Sequence, residues 1–184
     1  MHSHAEFQPS IIIMSLSDVE TNSRPLKMVS VFKKLGLKII LNTSLSKTKT
    51  KFSPVRNFCL NFTALILLKI NPSKSIEIYQ RKYVANQINK IPKNNEIIYC
   101  NDLQILPSAI SFKELNSNVK IIFDCRELYS EQDGQNLFFR IFEKPLRSYI
   151  EQTYIKRVDL CLTVSGSIAN HYKNLTNVDM IVVR

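Results

Sequence analysis

Short apolar runs recur along the chain, separated by segments long enough to form helices. The runs are continuous rather than alternating, which is typical of strands buried on both faces of a sheet. Such strands are parallel and covered by helices, because a parallel pair needs a crossover connection. The pattern therefore predicts an α/β fold with a doubly wound parallel sheet. The runs are IIIM at 11–14, LKIIL at 37–41, IIYC at 97–100, VKIIF at 119–123, LCLTV at 160–164 and MIVV at 180–183.

Helical patterns fill the segments between the runs. The segment 23–36 predicts a helix that Ser23 can cap. Apolar residues at helical spacing predict another helix over 73–91. The segment 135–157 predicts one long helix or two, because Pro145 interrupts the pattern.

The longest apolar stretch, 58–70, follows a loop rich in Lys, Thr and Ser. Asn61 and Lys69 interrupt it, and it is shorter than the roughly 20 residues that span a bilayer. This pattern favours a core helix beside a solvated loop. The alternative is that loop and helix dock together on an anionic membrane surface, where each Lys or Arg contributes about 1 kcal/mol. The basic residues concerned are Lys47, Lys49, Lys51 and Arg56.

The composition adds a strong positive charge to this picture. Lys and Arg number 25 against 15 Asp and Glu, so the 184 residues carry a net charge of +10. This charge favours an anionic partner such as phosphate, nucleic acid or lipid headgroups. Nucleic acid is not predicted as a partner, because no helix-turn-helix or aromatic-basic motif accompanies the charge. Residues 1–9 are polar and aperiodic and predict a flexible N-terminus.

The compartment is predicted from the N-terminus and the cysteines. The N-terminus lacks the basic and apolar regions of a secretory signal, so we expect a cytoplasmic protein, with peripheral attachment to the inner membrane face as the membrane alternative. The cysteines show no CxxC or CxxH spacing and are interpreted as reduced core residues. They are Cys59, Cys100, Cys125 and Cys161.

Polar side chains follow the predicted strands. Ligands bind outside the carboxyl ends of the strands in an open parallel sheet, so these side chains are candidates for a site. Asp102, Asp124 and Glu127 are expected to converge beside Arg126. Ser and Asn at such positions are more often helix caps or turn formers. The positions are Ser15, Ser17, Asp18, Asn42, Asn101, Asp102, Asp124, Arg126, Glu127, Ser165 and Ser167.

Several chemistries are excluded by the motifs that are missing. The chain has 3 Gly and contains neither GxGxxG nor GxxxxGK[ST], which argues against an NAD enzyme or a P-loop NTPase. Ser165 lies in VSGSI rather than GxSxG, and His171 falls on a predicted helix. We therefore expect no metal and no organic cofactor.

Four segments in order resemble the N-terminal part of glycosyltransferase family 4 proteins. IIYCNDLQILPSAISFKE is similar to their "HD, then a leucine-proline-alanine helix" segment, and VKIIFDCRELYSE to their "strand, then D-x-H-E-L" segment. RVDLCLTVSGSIANHYKNL is similar to "a-D-x-x-x-T-V-S, then helix", and MIVVR ends where an "x-V-x-R-N-x-P" turn begins. Residues 11–42 look like the opening strand, an arginine loop with Arg24, a helix and the second strand.

The resemblance implies a GT-B enzyme, in which two Rossmann-like domains transfer a sugar from a nucleotide donor to an acceptor. Residues 10–184 would be the acceptor-side domain, and the donor domain would be absent from this chain. The implied substrates are a saccharide or lipid-linked acceptor and, through the missing domain, a nucleotide sugar. The implied reaction is hexosyl transfer, with surface polysaccharide or glycolipid synthesis as the setting.

The same resemblance implies roles for individual residues. Asp102 and Glu127 would orient or deprotonate the acceptor hydroxyl. Substrate contacts would come from Arg24, Asn101, Asp124, Arg126 and Ser165.

Two positions depart from the family pattern. Asn101 and Arg126 stand where the family usually has histidine, and neither residue can act as a base near neutral pH. An inactive binding or scaffold module therefore remains the alternative function. The alternative role for Arg126 is a structural ion pair with Glu127 or Glu131.

Overall fold

A computed structural model describes residues 9–16, 19, 22–43, 54–81 and 97–183. Its centre is a 6-stranded sheet in which every neighbouring pair is parallel, flanked by helices. This confirms the predicted α/β fold of the Rossmann-like, doubly wound kind. The strands are β1 (Ser10–Ser15), β2 (Lys38–Thr43), β3 (Ile97–Cys100), β4 (Lys120–Cys125), β5 (Leu160–Thr163) and β6 (Ile181–Val182).

The strand order is β2-β1-β3-β4-β5-β6. The chain moves from β1 to β2 on one side, then returns and places β3 on the other side of β1. Ile12 lies opposite Ile40 of β2 and Ile98 of β3, so the three strands share one register. The topological switch point of the fold therefore lies between β1 and β3.

Successive residues of each strand pack on opposite faces of the sheet, as a pleated strand requires. Ile12, Met14, Ile98 and Phe123 belong to the larger core cluster, which also contains residues of the helices from 54 onwards. Ile11, Ile13, Tyr99 and Leu162 face the other way and pack against Val29 and Phe32 of the first helix. Both faces are thus covered, which explains why the strands read as continuous apolar runs.

The helices are α1 (Ser23–Lys34), α2 (Pro54–Ile70), α3 (Pro72–Gln80), α4 (Leu106–Leu115), α5 (Lys144–Tyr154) and α6 (Gly166–Thr176). Asn22, rather than the predicted Ser23, caps α1, with its side-chain oxygen accepting a hydrogen bond from the Arg24 N–H at 3.4 Å. The predicted helix over 73–91 is α3 as far as Gln80, and its remainder lies outside the described residues.

Within the segment 135–157, residues 137–157 form one continuous helical run, so of the two predicted arrangements the single long helix is observed. A π-helical turn at Phe139–Glu143 leads into α5, and Pro145 occupies the first turn of α5, where its missing N–H costs nothing. A short 3₁₀ turn at Ile155–Arg157 follows.

The prediction of a core helix over 58–70 is wrong. This stretch lies within α2, but the buried residues of α2 are Asn61 and Ala64, while Phe58, Phe62 and Ile66 are exposed. The side of α2 that is buried carries the small Ala64, which allows α3 to approach closely. At this contact the Ser75 hydroxyl donates a hydrogen bond to the Ala64 carbonyl at 2.6 Å. Among the described residues, every helix is too short or too polar to span a bilayer.

Three cysteines are core residues, as predicted, and the fourth is not. Cys100, Cys125 and Cys161 are buried on the larger-core face of the sheet, and burial raises the pKa of each thiol, that of Cys161 to about 12. Cys59 is exposed on α2. All four are free thiols.

Candidate functional site

The candidate site lies at the carboxyl edge of the sheet, where β1, β3 and β4 end. Ser15 ends β1, Asn101 and Asp102 follow β3, and β4 carries Asp124 and leads into Arg126. The structure therefore brings five of the eleven predicted residues to the edge at the switch point, where doubly wound folds bind ligands. Ser17 and Asp18, also named from the sequence, lie outside the described residues.

Asp102 is held between β1 and the loop after β4. Its Oδ2 accepts hydrogen bonds from the Leu16 N–H at 2.7 Å and the Ser15 hydroxyl at 3.2 Å. Its Oδ1 accepts one from Nη2 of Arg126 at 3.0 Å. The side chain remains 13% exposed. Asp102 is thus a carboxylate of fixed orientation that solvent still reaches.

Arg126 makes an incomplete set of contacts. Its Nη2 is shared between Asp102 and the Asn101 carbonyl oxygen, at 3.0 and 3.3 Å. Its Nε is buried without a hydrogen-bond partner among the described residues. Burial opposes the charge, but the neighbouring Tyr129 hydroxyl and the Asp102 carboxylate outweigh it and raise the pKa of Arg126. Arg126 is therefore a fixed cation with unused donor capacity.

The alternative prediction that Arg126 forms an ion pair with Glu127 or Glu131 is wrong. Glu131 pairs with Lys144 at 2.8 Å, and Glu127 accepts a hydrogen bond from the Gln132 side chain at 3.1 Å. Arg126 forms its ion pair with Asp102, which is distant in sequence and reaches it only through the pairing of β3 with β4. A catalytic role for Glu127 stays a prediction.

A second ion pair lies beside the first and is complete. Nε and Nη2 of Arg24 donate to the two carboxylate oxygens of Asp124, both at 2.7 Å, and Nη1 donates to the Val183 carbonyl at 3.0 Å. The Tyr99 hydroxyl also donates to Asp124, which is fully buried. This arrangement ties α1 to β4 and to the segment after β6.

Arg24 and Tyr99, which donate hydrogen bonds to Asp124, both have raised pKa values. The hydrogen bond to Asp124 raises the pKa of Arg24, although burial opposes the shift. Burial, together with the negative charge of Asp124, raises the pKa of Tyr99, so its hydroxyl stays protonated and remains a donor. Asp124 therefore positions Arg24 at the sheet edge, and its own substrate contact stays a prediction.

Asn101 is fully buried behind the first ion pair. Its Nδ2 donates to the Ser15 hydroxyl at 3.3 Å, while its backbone carbonyl accepts from Arg126 and, at 3.4 Å, from the Tyr129 hydroxyl. Its Oδ1 is buried and has no partner among the described residues. Asn101 thus joins β1 to β3 at the switch point, and a direct substrate contact stays a prediction.

Ser165 is the N-cap of α6, which confirms the cap interpretation. Its hydroxyl accepts a hydrogen bond from the Ile168 N–H at 3.3 Å and lies 3.0 Å from the Ser167 hydroxyl. Both contacts are local to the start of α6 and do not involve either ion pair, and a substrate contact through Ser165 stays a prediction.

Glu151, the residue that holds the loop after β4, was not predicted from the sequence. Oε1 of Glu151, in the middle of α5, accepts hydrogen bonds from the Ser130 N–H at 3.1 Å and the Tyr172 hydroxyl at 2.6 Å. Glu151 is fully buried. A glutamate within a helix normally indicates a solvated face, so only the tertiary structure identifies this anchor.

The arrangement is suited to recognising an anionic or hydroxyl-bearing ligand. Two arginine charges and a fixed carboxylate meet at one sheet edge, and the positive charge of arginine favours phosphate or carboxylate groups. Among the described residues, no group of His, Cys, Asp and Glu is placed to hold a metal ion.

Comparisons with known proteins do not assign a family. No protein-family model matches the chain, and a search of curated proteins finds no match.

Proposed function

We propose that this chain is the acceptor-side domain of a nucleotide-sugar-dependent glycosyltransferase that transfers a hexosyl group to a saccharide or lipid-linked acceptor. The observation that carries the proposal is the Asp102–Arg126 pair at the switch point between β1 and β3. A carboxylate fixed by Leu16, Ser15 and Arg126 can accept a hydrogen bond from an acceptor hydroxyl without rearranging.

The Rossmann-like fold supports the proposal, because it is the fold that each half of a GT-B enzyme requires. The ordered resemblance of the segments 97–114, 119–131 and 157–175 to glycosyltransferase family 4 gives the same assignment. In such an enzyme the nucleotide sugar would be bound chiefly by a second domain, so this chain alone is not expected to turn over.

The roles follow from the contacts. Asp102 would orient the acceptor hydroxyl, and Glu127 would be the candidate base. Arg126, whose side chain is 22% exposed, would offset phosphate charge on the donor or on a lipid-linked acceptor. Arg24, fixed by Asp124, would support the same charge from α1.

A transfer assay tests this proposal. The full product of the reading frame that contains this chain is incubated with radiolabelled nucleotide sugars and a panel of saccharide and lipid-linked acceptors. We expect transfer, with Asp102→Asn and Arg126→Gln each lowering kcat/KM about 100-fold or more. Arg157→Gln is the matched control, because Arg157 pairs with Glu114 near the amino edge of the sheet. Transfer that is unchanged in Asp102→Asn would remove the assigned role.

One observation favours a binding module as the second candidate function. The residues at the two expected histidine positions cannot act as bases: Asn101 is buried and Arg126 is held in an ion pair. A binding module predicts that saccharide acceptors saturate this chain, measured by saturation-transfer NMR, while no nucleotide sugar supports transfer by the full product. Absence of both binding and transfer would exclude both functions.

A further inference from the structure

The helix α2 is inverted with respect to the usual amphipathic pattern. A helix packed on a sheet normally turns its apolar stripe inward. In α2 the polar Asn61 is fully buried and its Nδ2 donates to Glu143 at 3.3 Å, whereas its largest apolar side chains face outward. The outward residues are 45% to 76% exposed and are Val55, Phe58, Phe62, Ile66 and Ile70.

These residues form one stripe, because spacings of three and four bring them to the same side of a helix. The stripe continues onto the residues before α5. The ring of Phe58 lies 6.3 Å from that of Phe138 and 5.3 Å from that of Phe142, centroid to centroid. Leu137 and Ile141 are also exposed there. We call the surface of α2 and residues 137–142 the apolar face.

The charged residues of the apolar face are all basic. Arg56, Lys69 and Arg140 are exposed on its two segments, and neither α2 nor 137–142 contains Asp or Glu. The chain has no acidic residue between Glu20 and Glu77. Beside 137–142, Glu131 pairs with Lys144 and Glu143 with Arg147, so these carboxylates are already neutralised.

This combination of charge and shape distinguishes between occupants. In a two-fold dimer formed through the apolar face, the basic residues of the two copies would lie near one another, and neither α2 nor 137–142 contains a carboxylate. An anionic lipid surface attracts a basic face such as this one and accepts aromatic and aliphatic side chains at the headgroup boundary.

We propose that the apolar face docks the protein on the surface of a bilayer that contains anionic phospholipids. α2 would lie in the interfacial plane, with Phe58, Phe62 and Ile66 among the acyl chains and the basic residues at the headgroups. The protein would be attached peripherally. This proposal rests on the surface alone and does not depend on the proposed transferase function.

Vesicle flotation tests the proposal directly. The chain is mixed with vesicles of phosphatidylcholine alone or of phosphatidylcholine with 30% phosphatidylglycerol, roughly the anionic content at which basic residues bind membranes. We expect it to float with the anionic vesicles and to bind neutral ones at least about tenfold more weakly. Phe62→Ser should weaken binding to anionic vesicles at least about tenfold. The double variant Lys69→Gln with Arg140→Gln should weaken it about 25-fold, from about fivefold per charge.

Leu115→Ser is the matched control, because Leu115 is an exposed leucine at the end of α4 and not part of the apolar face. It should leave vesicle binding unchanged. Flotation that Phe62→Ser does not alter, or equal binding to neutral vesicles, would overturn the proposal.

A spectroscopic reporter separates the remaining outcomes. The chain has no Trp, so Phe62→Trp introduces a single tryptophan on the apolar face, which can be excited selectively over tyrosine. We expect solvent-exposed emission in buffer, and a blue shift with quenching by brominated acyl chains on anionic vesicles. Blue-shifted emission in buffer, together with a dimer in sedimentation velocity that Phe62→Ser dissociates, would assign the face to a second copy instead. Blue-shifted emission from a monomer in buffer would mean that the chain covers its own face, which also overturns the proposal.

Discussion

The two arginine–carboxylate pairs at the sheet edge are close in space but differ in how completely their atoms are used. The side chains of Arg24 and Arg126 are 18% and 22% exposed, so the two pairs do not differ in how deeply the arginine is buried. Arg24 contacts both oxygens of a fully buried carboxylate. Arg126 donates to Asp102 through one nitrogen, and Asp102 also accepts hydrogen bonds from the Ser15 hydroxyl and the Leu16 N–H. The Arg24–Asp124 pair is therefore suited to holding the fold, and the Arg126–Asp102 pair is suited to contacting a ligand.

The largest effect expected from this difference is on stability. Arg24→Ala leaves Asp124 charged and buried with Tyr99 as its remaining donor, and should lower the free energy of unfolding by about 3–5 kcal/mol. Urea denaturation followed by circular dichroism measures the loss. A loss below about 1 kcal/mol would show that the pair is not a structural element.

Tyr99→Phe tests the same pair with a smaller change. It removes the hydroxyl donor to Asp124 but keeps the ring that packs edge-on against Phe32, with centroids 5.4 Å apart. Because hydrogen bonds to charged groups are worth about 1.5–3 kcal/mol, we expect a loss in that range. A double-mutant cycle with Arg24→Ala should give a coupling energy clearly different from zero, and additive losses would contradict a shared network.

Arg126→Ala should cost about 1 kcal/mol or less. The Asp102 carboxylate keeps the Leu16 N–H and the Ser15 hydroxyl, so no buried charge is left without a partner. The measurement is the same urea titration. If Arg126→Ala destabilises the protein as much as Arg24→Ala does, the distinction between a structural and a ligand-binding pair is wrong.

The smallest effect is expected at the opposite edge of the sheet. Burial opposes the charge of Asp159, but hydrogen bonds from Lys113, the Ile121 N–H and Lys120 outweigh it and lower its pKa. A lowered folded pKa stabilises the protein above the ordinary pKa near 4, and this contribution is lost as pH falls through the folded value.

We therefore expect Asp159→Asn to be less stable than the parent chain at pH 7 by about 1 kcal/mol or less, with the difference shrinking below about pH 4. Thermal unfolding at pH 7 and pH 3 measures both values. A difference that grows on acidification would contradict the assigned pKa direction.

The strands could be predicted because burial on both faces leaves a direct trace, a continuous apolar run such as IIIM or IIYC. The orientation of α2 could not be predicted. Its apolar spacing indicates a helix, but the side that is buried depends on how closely α3 packs against it, which the sequence does not show. The contact of Tyr99 with Asp124 was not predicted, because Tyr99 lies within the apolar run IIYC and was counted as a core residue of the strand. The partner of Arg126 was missed because Asp102 precedes it by 24 residues and meets it only across paired strands.

The position of the cysteines has a practical consequence for alkylation chemistry. Only the thiolate reacts, so Cys100, Cys125 and Cys161, buried and with raised pKa values, should resist a maleimide until the chain opens. Cys59 is exposed one turn before Phe62 and should react at once. Mass spectrometry of pulse-labelled protein would then resolve a rapid first adduct, whose rate reports access to the surface of α2. The three later adducts would report the opening rate of the core in the same molecule.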